Sequence, residues 1–253
     1  MEKIIWVAGM PRAGSMWTNN VIRDALALAG YEVQPKQVPR KDKDKSHILL
    51  TEALPDQNPS RVYVLKTHKR LRPEMPRSHF ISTIRDVRDA MISWMRFMNS
   101  DFDRALKAAE GMSETCDYYQ QLPENKHTRI RYVDIIQSPA ATLRYLCQRL
   151  GVTLTDAQID EIVSNHTKDK VARRIAAKEQ GYQEQAQKGI EFDAVEAIHS
   201  RNESARIYDK DTGFQSGHVS DYQEGDWRTI LTAEQIMQMH QRLGPWLERN
   251  GFV

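Results

Sequence analysis

The first part of the chain alternates short apolar runs with segments of helical spacing. Ile4 to Ala8 is continuously apolar, which is typical of a central parallel strand covered on both faces. Further strands are predicted at Arg61 to Lys66, at His79 to Ile84 and, shorter, at Thr128 to Tyr132. Strands separated by helical segments predict an α/β fold with a parallel sheet, and 253 residues suffice for one large domain.

Helical spacing begins directly after the first predicted strand and its glycine turn. Between Ser15 and Ala29, apolar Trp17, Val21 and Leu26 recur among polar residues, and Gly30 ends the segment. The whole pattern predicts a single doubly wound domain over residues 1–253. Further helices are predicted at 86–98, 101–121, 139–150, 155–187 with breaks, and 232–249 with a bend at Gly244-Pro245.

Two polar segments interrupt this pattern. Residues 35–60 are rich in Lys, Asp and Pro, and they predict an exposed, mobile excursion or simply a solvated surface loop. Residues 191–224 are polar and lack clear periodicity, which predicts irregular structure. Neither segment divides the chain, so both are interpreted as parts of the single domain.

Composition and charge exclude several classes of function. The formal charge is only +2, from 36 Lys+Arg against 34 Asp+Glu, so no field for nucleic acid spreads over the whole protein. Cys116 and Cys147 have neither metal-site spacing nor the density of a disulfide scaffold, and they are predicted to be reduced structural thiols. No apolar run has the length of a membrane span and no signal peptide is apparent, so we expect a soluble cytoplasmic protein without a membrane partner.

A glycine loop follows the first predicted strand. Gly9 to Ser15 (GMPRAGS) has the glycine spacing of a phosphate-binding loop, whose backbone N–H groups and following helix N-terminus favour an anion. Nucleotide kinases place Lys and then Ser or Thr directly after the second glycine, whereas Ser15 follows Gly14 here and the cation is Arg12. The loop therefore indicates a phosphate site without the kinase set for a γ-phosphate and Mg²⁺.

Pro11 to Trp17 (PRAGSMW) resembles the 5′-phosphosulfate loop of sulfotransferases that use PAPS (3′-phosphoadenosine 5′-phosphosulfate). The Pro, the cation, the Gly, the hydroxyl residue and the Trp are kept, whereas Ala13 and Met16 replace residues that carry hydroxyls. The resemblance implies a P-loop-like three-layer domain with a central parallel sheet flanked by helices. It also implies that the donor is bound by Arg12, Ala13, Gly14, Ser15, Met16 and Trp17.

Residues 85–93 (RDVRDAMIS) are similar to the same family's 3′-phosphate motif, again at a predicted strand end that opens a helix. The resemblance implies that Arg85 and Ser93 bind the 3′-phosphate, Arg85 through a bidentate contact. Taken alone, such a segment is more often a capped and salt-bridged helix start. The order of the two motifs favours the phosphate interpretation.

Two further segments resemble the family more briefly. Lys66-Thr67-His68 matches the triplet that carries the catalytic histidine, and its position at the carboxyl end of a strand ranks His68 above the other histidines. Arg131-Tyr132 resembles a segment whose tyrosine lies against the adenine. An ordinary half-buried strand tyrosine is an equally good interpretation of Tyr132.

The resemblance weakens near the C-terminus. Gly225 to Arg228 keeps the family's Gly-Asp-Trp, but Ser220 to Tyr222 stands where an Arg-Lys-Gly clamp on the 3′-phosphate is expected. Candidate substitutes for this clamp are Arg228, Arg206 and His218. The short dimer motif of the family is also degraded, since Thr232 is kept whereas Ala233 and Met237 depart, so the oligomeric state stays open.

Together these segments predict transfer of a sulfuryl group from PAPS to a hydroxyl or amine, leaving PAP. His68 would act as general base, Lys66 and Arg12 would neutralise developing charge, and no metal is expected. The acceptor is predicted to be a polar small molecule, a sugar or a peptide, contacted by insertions at about 35–60 and 158–224. A P-loop kinase of a small molecule and a non-catalytic nucleotide-binding module remain the alternatives.

Overall fold

A parallel sheet forms the centre of the computed structural model, which describes residues 2–72, 74–199, 205–219 and 222–252. Its strand order is β2-β3-β1-β4-β5, and every pairing is parallel. The predicted strands are confirmed, and β2 is an addition at the edge of the sheet. The bounds are β1 Ile4–Gly9, β2 Glu32–Gln34, β3 Arg61–Lys66, β4 Ser78–Ile84 and β5 His127–Arg131.

Helices cover both faces of this sheet. The predicted helices are confirmed, with the segment after residue 155 divided into two. Helix α10 continues through Pro245. None of the described helices is long and apolar enough to cross a membrane. The bounds are α1 Ser15–Leu28, α2 Asp42–Ile48, α3 Val87–Met98, α4 Phe102–Gln120, α5 Tyr132–Gln137, α6 Pro139–Leu150, α7 Asp156–Asn165, α8 Lys168–Gln187, α9 Trp227–Ile230 and α10 Ala233–Arg249.

Strand β1 is fully buried because its side chains point alternately into two cores. Ile5 and Val7 pack with α1, α6 and α7, whereas Ile4 and Trp6 pack on the opposite face, where Tyr119 of α4 lies. This arrangement confirms the three-layer α/β fold. Both cysteines are free and buried.

The segment over residues 35–60 differs from the predicted exposed excursion. It contains α2 and then a π-helical turn, Leu49–Ala53. Ala53 is buried against the sheet, and Ile48 and Leu49 are partly buried beside it. The prediction gave too much weight to the charged run before these apolar residues, which anchor the segment to the core.

The predicted irregular structure between residues 191 and 224 is also wrong in part. Two antiparallel strands, β6 Val195–His199 and β7 Ala205–Asp209, pair in the register Val195 with Asp209. Alternation of apolar and polar residues marks both strands, but each is short and surrounded by polar sequence. The pairing supplies hydrogen-bond partners for backbone N–H and C=O groups that neither segment could satisfy alone.

Three glycines differ in backbone conformation and in the space around them, so alanine substitutions at these positions test the described backbone. Gly14 has φ +87°, and a Cβ there would lie 2.6 Å from Ile135 Cδ1; Gly30 has φ +88° with open space, and Gly111 lies in α4 with open space. We expect Gly14→Ala to cost about 2 kcal/mol or more and Gly30→Ala about 1–2 kcal/mol. Gly111→Ala should stabilise by up to about 1 kcal/mol.

Urea unfolding of the three variants measures these differences in the free energy of unfolding. Gly111→Ala is the matched control, because it adds the same methyl group without positive φ or contact. Equal effects at Gly14 and Gly30 would contradict the tight packing of the loop against Ile135.

Candidate active site

The carboxyl ends of β1, β3 and β4 meet at one edge of the sheet, where a cavity of about 1180 Å³ opens. This volume exceeds the roughly 300–1,000 Å³ of a typical ligand pocket. Most residues singled out in the sequence line it together. They are Arg12, Gly14, Ser15, Met16, Trp17, Lys66, His68, Arg85, Ser93 and Tyr132.

The glycine loop presents a helix N-terminus to this cavity. Gly9 and Gly14 have φ +114° and +87°, and Arg12 between them also has a positive φ of 63°. Gly14 precedes α1 without any side chain capping the first backbone N–H groups. An uncapped N-terminus beside a cavity leaves these donors available to an anion.

Arg12 ties the loop to α3. Its Nε donates to Ser93 Oγ at 3.0 Å, and its Nη2 donates to the carbonyl of His218 at 3.2 Å. The guanidinium lies 4.5 Å from the centre of the Phe97 ring. Burial, and then the nearby charge of Arg85, lower the pKa of Arg12 to about 10, so it stays a cation at neutral pH.

His68 and Lys66 form a hydrogen-bonded pair at the end of β3. His68 Nδ1 lies 3.0 Å from the carbonyl oxygen of Gly9, which can only accept, so this nitrogen carries the proton. His68 Nε2 then holds the lone pair and accepts from Lys66 Nζ at 2.8 Å. The ring is accessible from the cavity. A neutral histidine with this orientation can take a proton from a group in the cavity.

The surroundings disfavour positive charge on both partners. Enclosure by the protein lowers the pKa of His68 to about 3, and the adjacent Lys66 lowers it further. Burial likewise lowers the pKa of Lys66 to about 7, and Lys45 of α2 adds repulsion. The end of β3 therefore holds more positive charge than its carboxylates balance, which favours an anionic ligand.

Arg85 leaves the end of β4 with donors to spare. It is buried, it donates from Nη1 to the carbonyl of Arg12 at 3.1 Å, and its guanidinium lies 4.2 Å from the Tyr132 ring centre. Its Nε has no hydrogen-bond partner among the described residues. The nearest carboxylate is Glu224, half-exposed, with Oε1 at 3.8 Å. This ion pair joins Glu224 to Nε beyond hydrogen-bond distance, so a buried donor without a hydrogen bond remains for an anion entering from the cavity.

Tyr132 is half-buried, but it lies just outside the strand that forms where the sequence predicts one for residues 128–132. It is the first residue of α5, directly after β5 ends at Arg131. Its ring packs over the glycine loop, since a Cβ at Gly14 would lie 3.2 Å from Tyr132 Cδ2. The Tyr132 side chain is half-buried and contacts both the glycine loop and Arg85. A planar ligand that stacked on this ring would lie beside both.

Two predicted donor-binding residues lie apart from the main cavity. The Ala13 side chain is fully buried in the core near Val87, so only its backbone can face a ligand. Arg228 lies over Trp227, 4.2 Å from its ring centre, and lines a second cavity of about 330 Å³. That cavity adjoins the first, because Arg85 lines both.

The other proposed substitutes for the clamp also have defined positions. The His218 ring bonds Gln215 and stacks on Phe97, and its carbonyl rather than its ring holds Arg12. The Arg206 guanidinium contacts the same aromatic ring, 4.8 Å from the Phe97 ring centre. Ser220 and Asp221, which stand in place of the missing clamp, lie outside the described residues.

The sequence predicted that residues 35–60 contact the acceptor, but it identified neither the individual residues of α2 nor several aromatic residues that line the cavity. Asp42 and Lys45 line the cavity near His68, and Lys69 Nζ pairs with Asp42 Oδ2 at 3.1 Å. Their alternating Lys-Asp run is indistinguishable from a solvated surface in the sequence. Phe97 and Phe214 also line the cavity, and no motif marks them.

Comparison with known proteins agrees with this geometry. Residues 40–156 match a model of the sulfotransferase family. The predicted resemblance to the sulfotransferase family is confirmed. The matched segment includes the ends of β3 and β4 and the start of α5, whereas the glycine loop lies before it. No curated protein matches the chain.

Solved structures share the fold at low sequence identity. Mouse sulfotransferase SULT7A1 complexed with PAP is 14% identical, with 97% of this chain and 84% of that one covered and a TM-score of 0.62. Retinol dehydratase with androsterone and PAP is 14% identical, with 97% and 80% covered and a TM-score of 0.60. Retinol dehydratase with retinol and PAP is 16% identical, with 97% and 81% covered and a TM-score of 0.59. The sulfotransferase fold thus extends over the whole sheet.

The His68–Lys66 pair generates a titration prediction. Because enclosure and Lys66 both lower its pKa, the His68 ring should stay neutral, with its proton on Nδ1, from pH 8 down to at least pH 5. Lys66→Met removes the adjacent charge, so the pKa of His68 should rise. Long-range ¹H–¹⁵N NMR of the imidazole nitrogens measures both. A wild-type His68 that titrates near its ordinary value of about 6.5 would contradict the pair.

Proposed function

We propose that this protein is a PAPS-dependent sulfotransferase that acts on a hydroxyl or amine acceptor. The observation that carries the proposal is the convergence of Arg12, Lys66 and Arg85, from the ends of three adjacent strands, on one cavity beside an uncapped helix N-terminus. Fixed cations and backbone donors suit a ligand that carries phosphate at one end and a transferable sulfuryl group.

The residues present fit the two phosphates of this donor. The backbone N–H groups at the start of α1, with Ser15 and Arg12, would hold the 5′-phosphosulfate. Arg85, through its Nε, which makes no hydrogen bond to the described residues, and Ser93 would hold the 3′-phosphate. Glu224 would have to yield its place beside Arg85 to that phosphate. Arg228, in the adjoining cavity, is the nearest candidate for the missing clamp.

The adenine would lie near Trp17 and Tyr132. Both side chains line the cavity beside the loop, and Met16 adds an apolar wall there. The Ala13 side chain takes no part, since it is buried in the core. An aromatic platform with the Arg85 guanidinium over one ring gives the flat, partly apolar slot that a purine requires.

PAPS, when bound, supplies a sulfuryl group whose bond to the 5′-phosphate oxygen breaks as a bond to the acceptor oxygen or nitrogen forms. His68 Nε2 would take the acceptor proton once the Lys66 ammonium, which it accepts from in the ligand-free protein, turns to the leaving phosphate. Lys66 and Arg12 would balance the charge that develops on the leaving phosphate. The low pKa of His68 rises when anions occupy the site, which makes proton transfer to it more favourable.

The kinase alternative is less well supported. A kinase needs a lysine directly after the second glycine and residues that hold Mg²⁺, but Ser15 follows Gly14 here. A non-catalytic nucleotide-binding module would leave the hydrogen-bonded His68 and Lys66 without a role. Binding and turnover measurements distinguish the three functions.

Titration calorimetry tests the donor site first. We expect PAP to bind without metal, whereas ATP with Mg²⁺ should bind at least about tenfold more weakly. Ser93→Ala should weaken PAP binding about tenfold, and Arg85→Ala should abolish it, because each removes a phosphate contact. Arg104→Ala, on the exposed side of α4, is the control. Tighter binding of ATP with Mg²⁺ than of PAP would favour the kinase.

Turnover tests the proposed base. His68→Ala should slow sulfuryl transfer by about 100-fold or more while PAP affinity stays nearly unchanged, because the imidazole moves a proton and contacts no phosphate in this proposal. His47→Ala, on the exposed side of α2, is the matched control. PAP release from PAPS in the presence of an acceptor measures the rate. A fully active His68→Ala enzyme would remove His68 as the base.

A further inference from the structure

Helix α2 covers the cavity on the side of His68. Lys45 Nζ bonds Asp42 Oδ1 at 3.0 Å, and Lys69 Nζ lies 3.1 Å from Asp42 Oδ2. All three side chains line the cavity together with Lys66 and His68. An acceptor held for reaction at His68 would therefore share the cavity with this cluster, which we call the α2 cluster (Asp42, Lys45 and Lys69).

The α2 cluster carries more positive than negative charge. One carboxylate, Asp42, serves two lysines. Arg40, which also lines the cavity, is already paired with Glu196 at 2.9 Å. In the proposed function Lys66 balances the donor's phosphosulfate and is not available to balance the acceptor. One cation of the cluster is left unmatched on the acceptor side.

Lys45 is the member best placed to bind a ligand. Its side chain is only 11% exposed, and Asp42 is the partner of its ammonium among the described residues. An ammonium has three N–H donors, so donor capacity remains. Burying a cation without full compensation is unfavourable, and the repulsion that Lys45 exerts on Lys66 reflects this excess. An incoming anion would reduce both the cost of burying the Lys45 ammonium and its repulsion with Lys66.

A second cation, Arg206 of β7, lies close to the cavity without being among its lining residues. Arg206 lies over Phe97, itself a lining residue, and its charge reaches both Arg12 and His218. The rest of this wall is apolar, formed by Trp94, Phe97 and Phe214 among others. The acceptor side thus combines an apolar wall with a cationic one.

We propose that the acceptor carries an anionic oxygen group, a carboxylate, phosphate or sulfate, near its reacting hydroxyl, and that Lys45 and Lys69 bind this group. The inference rests on the proposed function, and it names the acceptor class that function leaves open. Asp42 orients the two lysines and limits how much negative charge the cluster accepts.

Binding of matched compound pairs to the PAP-loaded protein tests the proposal without relying on turnover. The probes are 4-hydroxyphenylacetate against its methyl ester, and glucose 6-phosphate against glucose. By titration calorimetry at pH 7.5, at least one charged member should bind about tenfold or more tightly than its neutral counterpart.

Variants of three residues of α2 test whether the α2 cluster causes the preference for the charged compound. Lys45→Met should reduce it to less than about threefold, because the buried ammonium is lost. Asp42→Asn should increase it, because the competing carboxylate is lost. Lys43→Met, an exposed lysine of the same helix, should leave it unchanged. Thermal unfolding of each variant separates loss of binding from loss of folding.

The outcomes divide cleanly. Neutral members that bind as tightly as charged ones, or no binding by any probe, would overturn the anionic acceptor. A charge preference that survives Lys45→Met would overturn the assignment of the anion to Lys45. Failure of the wild-type protein to bind PAP at all would instead count against the proposed function. The pairs would then be titrated against the free protein, where the same preference and the same dependence on Lys45 are expected.

Discussion

Parallel pairing of β1 with β3 and β4 is the constraint on which the rest of the site depends. The register places Val7 beside Lys66 and Gly9 beside Thr83, so the three strands end at nearly the same height. The backbone therefore leaves all three strands at the same edge of the sheet, as parallel strands joined by helical crossovers require. The glycine loop, the His68–Lys66 pair and Arg85 meet there because the strands end together.

Hydrogen bonds from side chains to backbone carbonyls fix the orientation of the functional groups at this shared edge. The Gly9 carbonyl accepts from His68 Nδ1, which selects the tautomer whose Nε2 lone pair accepts from Lys66. The Arg12 carbonyl accepts from Arg85, which holds that guanidinium against the glycine loop. Arg12 and Gly14, between these two contacts and α1, both have positive φ, which lets the loop turn sharply there. The loop therefore holds both His68 and Arg85 at the cavity.

The resulting electrostatics are unbalanced by construction. Arg12, Lys66 and Arg85 gather around one cavity, whereas Glu224 and Asp42 are the carboxylates that approach it, each at the margin. Burial lowers the pKa values of Arg12 and Lys66, and the neighbouring positive charges lower them further. A polyanionic ligand, as in the proposed function, would relieve this repulsion.

The sequence by itself determined the sheet, the loop and the order of the binding segments. Apolar runs and glycine turns are local signals, and the motifs at Arg12, His68 and Arg85 are defined by neighbours in the chain. Tertiary structure alone decided that Ala13 faces the core, that Tyr132 starts a helix and that Asp42 and Lys45 are the residues of the charged run that line the cavity. It also brought Arg206 and His218 to Phe97. These outcomes depend on which surfaces meet across long sequence separations, and a charged residue at a cavity looks the same in sequence as one in water.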